Sequence, residues 1–177
     1  DRNRTSPLAF TGNKFEFRAV GSNQSCAGPN VPLNAVTTWG IDLICTEVEA
    51  AMAKGEAFHT ALGAVLKRVF TKHQRVLFDG DNYSAAWRAE AARRGLPCAM
   101  TTPEALEALR SEPVVALFKK YGIFSEREIL SRYEIYAETY GKVIALEASC
   151  ALRMLRTQLI PAGLAYAEEL RLSGREA

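Results

Sequence analysis

Histidine is scarce in this chain, and cysteine is neither abundant nor clustered. His59 and His73 are the two histidines, and the four cysteines are Cys26, Cys45, Cys98 and Cys150. No Cys-x-x-Cys pair occurs, and neither histidine has a carboxylate or cysteine at metal-ligand spacing. That excludes a zinc module and a disulfide scaffold and leaves the histidines surface or helix-end roles. An excess of one charge is also missing. Lys+Arg 22 against Asp+Glu 20 gives a net charge of +2, which offers no electrostatic footprint for bulk nucleic-acid binding. The cluster Lys67, Arg68, Lys72, His73, Arg75 is then a solvated helix face. No apolar run is long enough to span a bilayer, and no secretory leader pattern stands at the start. With cysteines used singly, a reducing, cytoplasmic home is expected. Internal repeats and low-complexity tracts are absent. So is an initiator Met: Asp1-Arg2-Asn3-Arg4 reads as the middle of a longer or processed polypeptide.

What is present divides into two regions. Residues 1–34 are rich in Gly, Pro, Asn and Ser, with one alternating stretch, Lys14–Val20, that reads as a short strand between loops. Within it Lys14, Glu16 and Arg18 alternate with Phe15 and Phe17. The side-chain period of a strand is two, so the charged groups share one face and the aromatics the other. A carboxylate between two cations suits a metal ion and anionic ligands. A solvated strand face with cross-charge pairing is the plainer alternative.

From about residue 31 the pattern turns helical. Pro32 suits a first turn, and Leu33, Val36, Trp39, Ile41, Leu43, Ile44 and Val48 predict a buried helix closed by Gly55. A second helix is expected from about Glu56 to about Lys72, with Phe58, Leu62, Val65, Leu66, Val69 and Phe70 on one stripe. A third runs from about Ser84 to about Arg94 and stops at Gly95. Thr102-Pro103-Glu104 starts a fourth, and Pro113 a short fifth ended by Gly122. Ser125-Glu126-Arg127-Glu128 is a capping box, with Phe124 and Ile129 as its hydrophobic staple. The helix it opens carries Ile129, Tyr133, Tyr136, Tyr140, Val143, Glu147, Cys150 and Met154 at spacings of three and four. It is expected to end near Leu159, before Pro161, with a final helix over about Ala162–Arg171. Tyr133, Tyr136 and Tyr140 are read as packing residues, Trp39 and Trp87 as core or interface anchors, and Cys45 and Cys150 as small core side chains. Asp79-Gly80-Asp81 with Glu90 imitates a calcium loop. However, Tyr83 and Ser84 stand where such a loop needs an oxygen ligand and a glycine.

The run Asn3-Arg4-Thr5 through Lys14-Phe15-Glu16-Phe17-Arg18 resembles glutamine synthetase. In that family an Asn-Arg-Ser/Thr segment precedes an Arg/Lys-x-Glu-x-Arg strand. Gly21-Ser22 and Ala27-Gly28-Pro29-Asn30 look like the type III branch. So do Arg75–Ser84 with Trp87, Ala92–Pro97 and Leu159-Ile160-Pro161-Ala162. The resemblance implies an α+β fragment, mostly α. Residues 1–34 would be the C-terminal part of a catalytic β-barrel domain, and 35–177 a helical C-terminal region. It also implies roles: Glu16 as a metal ligand for Mg²⁺ or Mn²⁺, Arg18 for the glutamate carboxylate, Arg4 as the catalytic arginine at the transferring phosphate, and Lys14 near the nucleotide. Phosphoryl transfer onto a carboxylate brings anions together, and metal and guanidinium groups offset that repulsion. The implied parent is an ATP-dependent ligase joining glutamate and ammonia. It is a homo-oligomer, expected as a dodecamer of two rings. Two departures are visible: Ala9 stands where many members carry a second arginine, and Gly21–Asn30 replaces the Pro-Asp-Pro-Ala-x-Asn-Pro loop of other branches. The family's other metal-binding glutamates and its histidine have no counterpart here. A helical assembly or interaction module without catalysis is the alternative.

Overall fold

The computed structural model describes residues 7–10, 14–18, 21 and 24–174. It is mostly helical, with one two-stranded antiparallel sheet. Strands β1 (Leu8–Phe10) and β2 (Phe15–Phe17) pair in the register Leu8↔Phe17, Ala9↔Glu16, Phe10↔Phe15. Seven α-helices follow among the described residues: α1 (Ala27–Met52), α2 (Phe58–His73), α3 (Ala85–Arg93), α4 (Thr102–Leu106), α5 (Glu112–Lys120), α6 (Glu126–Met154) and α7 (Ile160–Leu172). Short 3₁₀ turns extend α2 and α4. No helix among the described residues is long and apolar enough to cross a membrane.

Helix boundaries follow local chemistry closely. The Ser125 hydroxyl accepts from the Glu128 N–H, while the Glu128 carboxylate accepts from the Ser125 N–H at 2.8 Å. Thr101 and Glu104 form the same reciprocal cap on α4. Each cap satisfies two N–H groups that a helix end leaves without partners, and truncating such a residue costs about 1 kcal/mol. Gly55, at φ +96°, closes α1 by donating to the Met52 carbonyl. An L-residue at that φ would be strained.

Five expectations change. A second strand, β1, accompanies β2; its three residues carry no alternation that a sequence pattern could reveal. Helix α1 starts at Ala27, so Pro32 lies inside it. As the sixth residue of α1, Pro32 lies past the four N–H groups that a helix start leaves unpaired, so the bond it cannot donate to the Gly28 carbonyl is one that a regular helix would make. Helix α1 is not buried all round. Ala35 and Val48 are buried, but Val36, Trp39 and Ile41 are exposed, because α1 meets α2 along one stripe and α5 along another. Cys45 and Cys150 are exposed rather than core residues. Finally, the chain does not break before Pro161. Helix α6 continues into α7 through a π-turn at Leu155–Leu159, where the Ile160 N–H donates to the Leu155 carbonyl. The wider turn leaves room for a ring that would otherwise strike a carbonyl one turn back. The resulting rod is roughly 70 Å long at about 1.5 Å per residue.

Two small cores hold the helices together. Ala35, Phe118 and Ile129 join α1, α5 and α6, with Val31, Leu109, Val114 and Phe124 packed around them. Val48, Ala61 and Val65 join α1 to α2, with Ile44, Leu62 and Val69 alongside. Phe58 and Phe70, expected on the same stripe of α2, are exposed. The start of α6 is further fixed by the Tyr133 hydroxyl donating to Glu107 at 2.5 Å and by the Arg110 guanidinium over the Tyr133 ring. Trp87 packs on Phe78, their centroids 4.5 Å apart. The same Phe78 lies so close to Gly80 that a Cβ there would meet its ring at 2.8 Å.

One polar joint ties α1 to the end of α5. An Asp42 carboxylate oxygen accepts from Lys120 Nζ at 2.6 Å and from the Tyr121 hydroxyl at 2.8 Å. The hydrogen bonds from Lys120 and Tyr121, with the Lys120 charge, hold the Asp42 carboxyl below its ordinary value of 3.8. A carboxyl lowered in the folded state stabilises it above that ordinary value, and the contribution disappears as pH falls through the lowered one. Urea unfolding should therefore separate native protein from Asp42→Asn at neutral pH. The gap should shrink as pH falls below the ordinary carboxylate value of 3.8 and through the lowered one; a constant gap would mean the joint does not titrate.

Candidate functional site

The strand pair sets which groups can meet. The Arg18 N–H donates to the Pro7 carbonyl at 2.8 Å, extending the ladder one step past β2. Residues directly opposite in an antiparallel pair share a face. Leu8 thus joins Phe15 and Phe17 on one side, while Glu16, opposite the small Ala9, stands on the other with Lys14 and Arg18 flanking it in sequence.

The three charged groups meet. Arg18 donates to Glu16 Oε2 at 2.8 Å, and Lys14 Nζ lies 3.8 Å from Oε1. The Arg18 side chain is 25% exposed, Glu16 38% and Lys14 66%. The Arg18 contact is a charge-assisted hydrogen bond of ordinary length, whereas the longer, more exposed Lys14 pair contributes little to folding. The arrangement also fits the plainer alternative of cross-charge pairing on a strand face, so ion pairing by itself does not choose between the two. Arg4, and with it Arg2, lies outside the described residues.

Chemically, Glu16 offers one hard carboxylate donor, the type that Mg²⁺ and Mn²⁺ take. It fits such an ion as a single ligand. Among the described residues no group of three or more His, Cys, Asp or Glu side chains could complete the sphere. Arg18 can offer its planar donors to a carboxylate or a phosphate, and Lys14 is a point charge suited to a phosphate. A groove of about 830 Å³ lies along the aromatic side instead, between Leu8, Phe15 and Phe17 and the α1 residues Pro29, Leu33 and Val36. Phe15 is 70% exposed there.

The other sequence candidates resolve as structural groups. Asp81 accepts from the Tyr83 N–H at 2.9 Å, forming a turn. Glu90 is engaged by Arg93 and Arg94, whose hydrogen bonds lower its pKa to about 2. Arg94 also donates to the carbonyls of Arg75 and Leu77, holding the connection between α2 and α3 in place. The Asp42–Lys120–Tyr121 joint was not legible in sequence, since its partners lie 78 and 79 residues apart.

Comparison with known proteins bears on the whole chain. Residues 61–176 match the family model of the glutamine synthetase C-terminal domain. The chain is 42% identical over 170 residues to the type-3 glutamine synthetase of Dictyostelium discoideum, covering 96% of this chain and 23% of that protein. It is 35% identical over 170 residues to a glutamine synthetase of Bacteroides fragilis (strain YCH46), covering 96% and 23%. It is 38% identical over 171 residues to one of Butyrivibrio fibrisolvens, covering 96% and 24%. The chain thus spans about a quarter of the length of these relatives. With the family match extending from α2 to the end of the α6–α7 rod and the relatives aligning over nearly all of the chain, the chain belongs to the glutamine synthetase family, and its residues 61–176 correspond to that family's C-terminal domain.

Proposed function

We propose that the protein containing this chain is an ATP-dependent ligase that forms glutamine from glutamate and ammonia through a γ-glutamyl phosphate. The observation that carries this reading is the Lys14–Glu16–Arg18 cluster on one face of β2, in a chain similar to glutamine synthetases over nearly its full length. Residues 1–34 would contribute to the catalytic domain, their two strands belonging to its β-barrel, and 35–177 would be the helical C-terminal region. Glu16 would supply one carboxylate ligand to Mg²⁺ or Mn²⁺, which when bound would offset charge on a phosphate. Arg18 holds the glutamate carboxylate with its paired donors. Arg4 offsets charge on the phosphate during transfer, and Lys14 steadies the nucleotide. Remaining metal ligands must come from elsewhere in the complete protein or from neighbouring subunits. A ring-built homo-oligomer, a dodecamer in this reading, and a cytoplasmic location accompany it.

The test is glutamine formation from glutamate, ammonia and ATP. The complete protein should catalyse it, and the isolated 177-residue polypeptide should not. Glutamine formation by the isolated polypeptide would show that the missing ligands are not needed. A second reading, a helical assembly module without catalysis, draws on the α6–α7 rod. Ile144, Leu146, Leu152, Leu159 and Leu164 are exposed on it, apolar positions that an assembly partner would cover. Complete protein that assembles but makes no glutamine would favour that reading.

A further inference from the structure

A second cavity, about 290 Å³, lies between the start of α1, the end of α5 and the first turns of α6. The reaction proposed above makes no use of it. Its wall is apolar, formed by Val31, Leu109, Phe118 and Phe124, and its polar groups include Arg132 and Tyr136, one turn apart on α6. The Arg132 guanidinium stacks 3.8 Å from the Phe124 ring centroid and donates one hydrogen bond to the Glu128 carbonyl at 3.2 Å. The Glu128 carboxylate itself is taken up by Ser125. Among the described residues the Arg132 charge acts on the Glu128 carboxylate one turn back but makes no close ion-pair contact with it, and the Tyr136 hydroxyl makes no hydrogen bond.

We propose that this cavity binds a small carboxylate with an apolar body. Three features select that class. Stacking on Phe124 restrains the guanidinium before any ligand arrives, so less freedom is lost when it pairs with a carboxylate. The remaining guanidinium donors match the two oxygens of a carboxylate, and the Tyr136 hydroxyl can add a third hydrogen bond. The apolar wall rewards a hydrocarbon body, which inorganic phosphate or a short hydroxy acid does not have. The volume sits at the lower end of ligand pockets, which run from about 300 Å³ upward, so an arylacetate or a medium-length aliphatic acid is the right size. Glutamate, with a second charge where the wall is apolar, is a poor occupant.

Phenylacetate and its neutral isostere phenylacetamide test this on the complete protein, with saturating glutamate present to occupy the proposed substrate site. Saturation-transfer NMR and calorimetry should show one saturable site for the acid. The amide should bind at least about ten-fold more weakly, as loss of a charge-assisted hydrogen bond predicts. Arg132→Gln should bring acid and amide to similar affinity. Leu109→Trp, which fills the cavity, should abolish binding of both while circular dichroism stays native. Absence of saturable binding, equal affinity for acid and amide in the unsubstituted protein, or undiminished binding in the two variants would overturn the proposal.

Discussion

Glu16→Ala in the complete protein should lower ATP-dependent glutamine formation by about a hundred-fold or more, because a metal ligand at a transferring phosphate is worth several kcal/mol of charge stabilisation. The concentration of Mg²⁺ or Mn²⁺ needed for half-maximal activity should rise as well. Magnitude separates this from the plainer reading. If Glu16 only pairs with Lys14 and Arg18 on a strand face, its removal costs at most about 1 kcal/mol of stability and leaves the chemistry alone. Glu16 is half-exposed and faces Ala9 across the sheet, so truncating it opens no cavity. An assay of rate against metal concentration, with circular dichroism to confirm folding, decides the matter. Unchanged activity and unchanged metal dependence would remove Glu16 from the site.

Ile129→Ala should destabilise the helical region by about 2–5 kcal/mol, the range for deleting a buried aliphatic side chain from a core that cannot fully collapse. Ile129 is 1% exposed and packs between Ala35 and Phe118, so one side chain links α6 to α1 and α5. Phe124, just before the α6 cap, packs against the same cluster. Urea unfolding should show a lower midpoint with an unchanged slope. Ile144, farther along the same helix and 47% exposed, is the internal control. Its alanine variant in the 177-residue chain should stay within about 0.5 kcal/mol of the parent. Equal losses at the two positions would mean that the Ala35–Phe118–Ile129 cluster is not the stabilising core.

Local signals were legible and long-range ones were not. The capping box at Ser125, the helix start at Thr102-Pro103-Glu104, the stops at Gly55, Gly95 and Gly122, and the face shared by Lys14, Glu16 and Arg18 depend on residues at most a few positions apart. The start of α1 was misplaced because Pro32 resembles a first-turn proline, while Pro29 already occupies that role within the helix. Pro161 misled in the same way: a proline ends a regular α-helix, but a π-turn can carry one through. An apolar spacing marks a face that can be covered, not the neighbour that covers it. Trp39, Phe58 and Phe70 have the spacing of core residues, yet among the described residues they stay 46%, 48% and 68% exposed.

The sequence by itself determined the limits of α2, α3 and α5 to within about two residues and the starts of α4 and α6, which side of β2 carries charge, and the resemblance that the family match then established. Backbone geometry explains this, since periods of two and of 3.6 residues, and caps spanning three residues, are fixed by the chain alone. Only the tertiary structure decided that β1 pairs with β2, that Asp42 meets Lys120 and Tyr121, and that two small cores rather than one hold α1. It also decided that Arg132 lines a cavity. Each of these depends on which distant surfaces come together. That is set by the sum of many weak packing and desolvation terms, not by any local pattern.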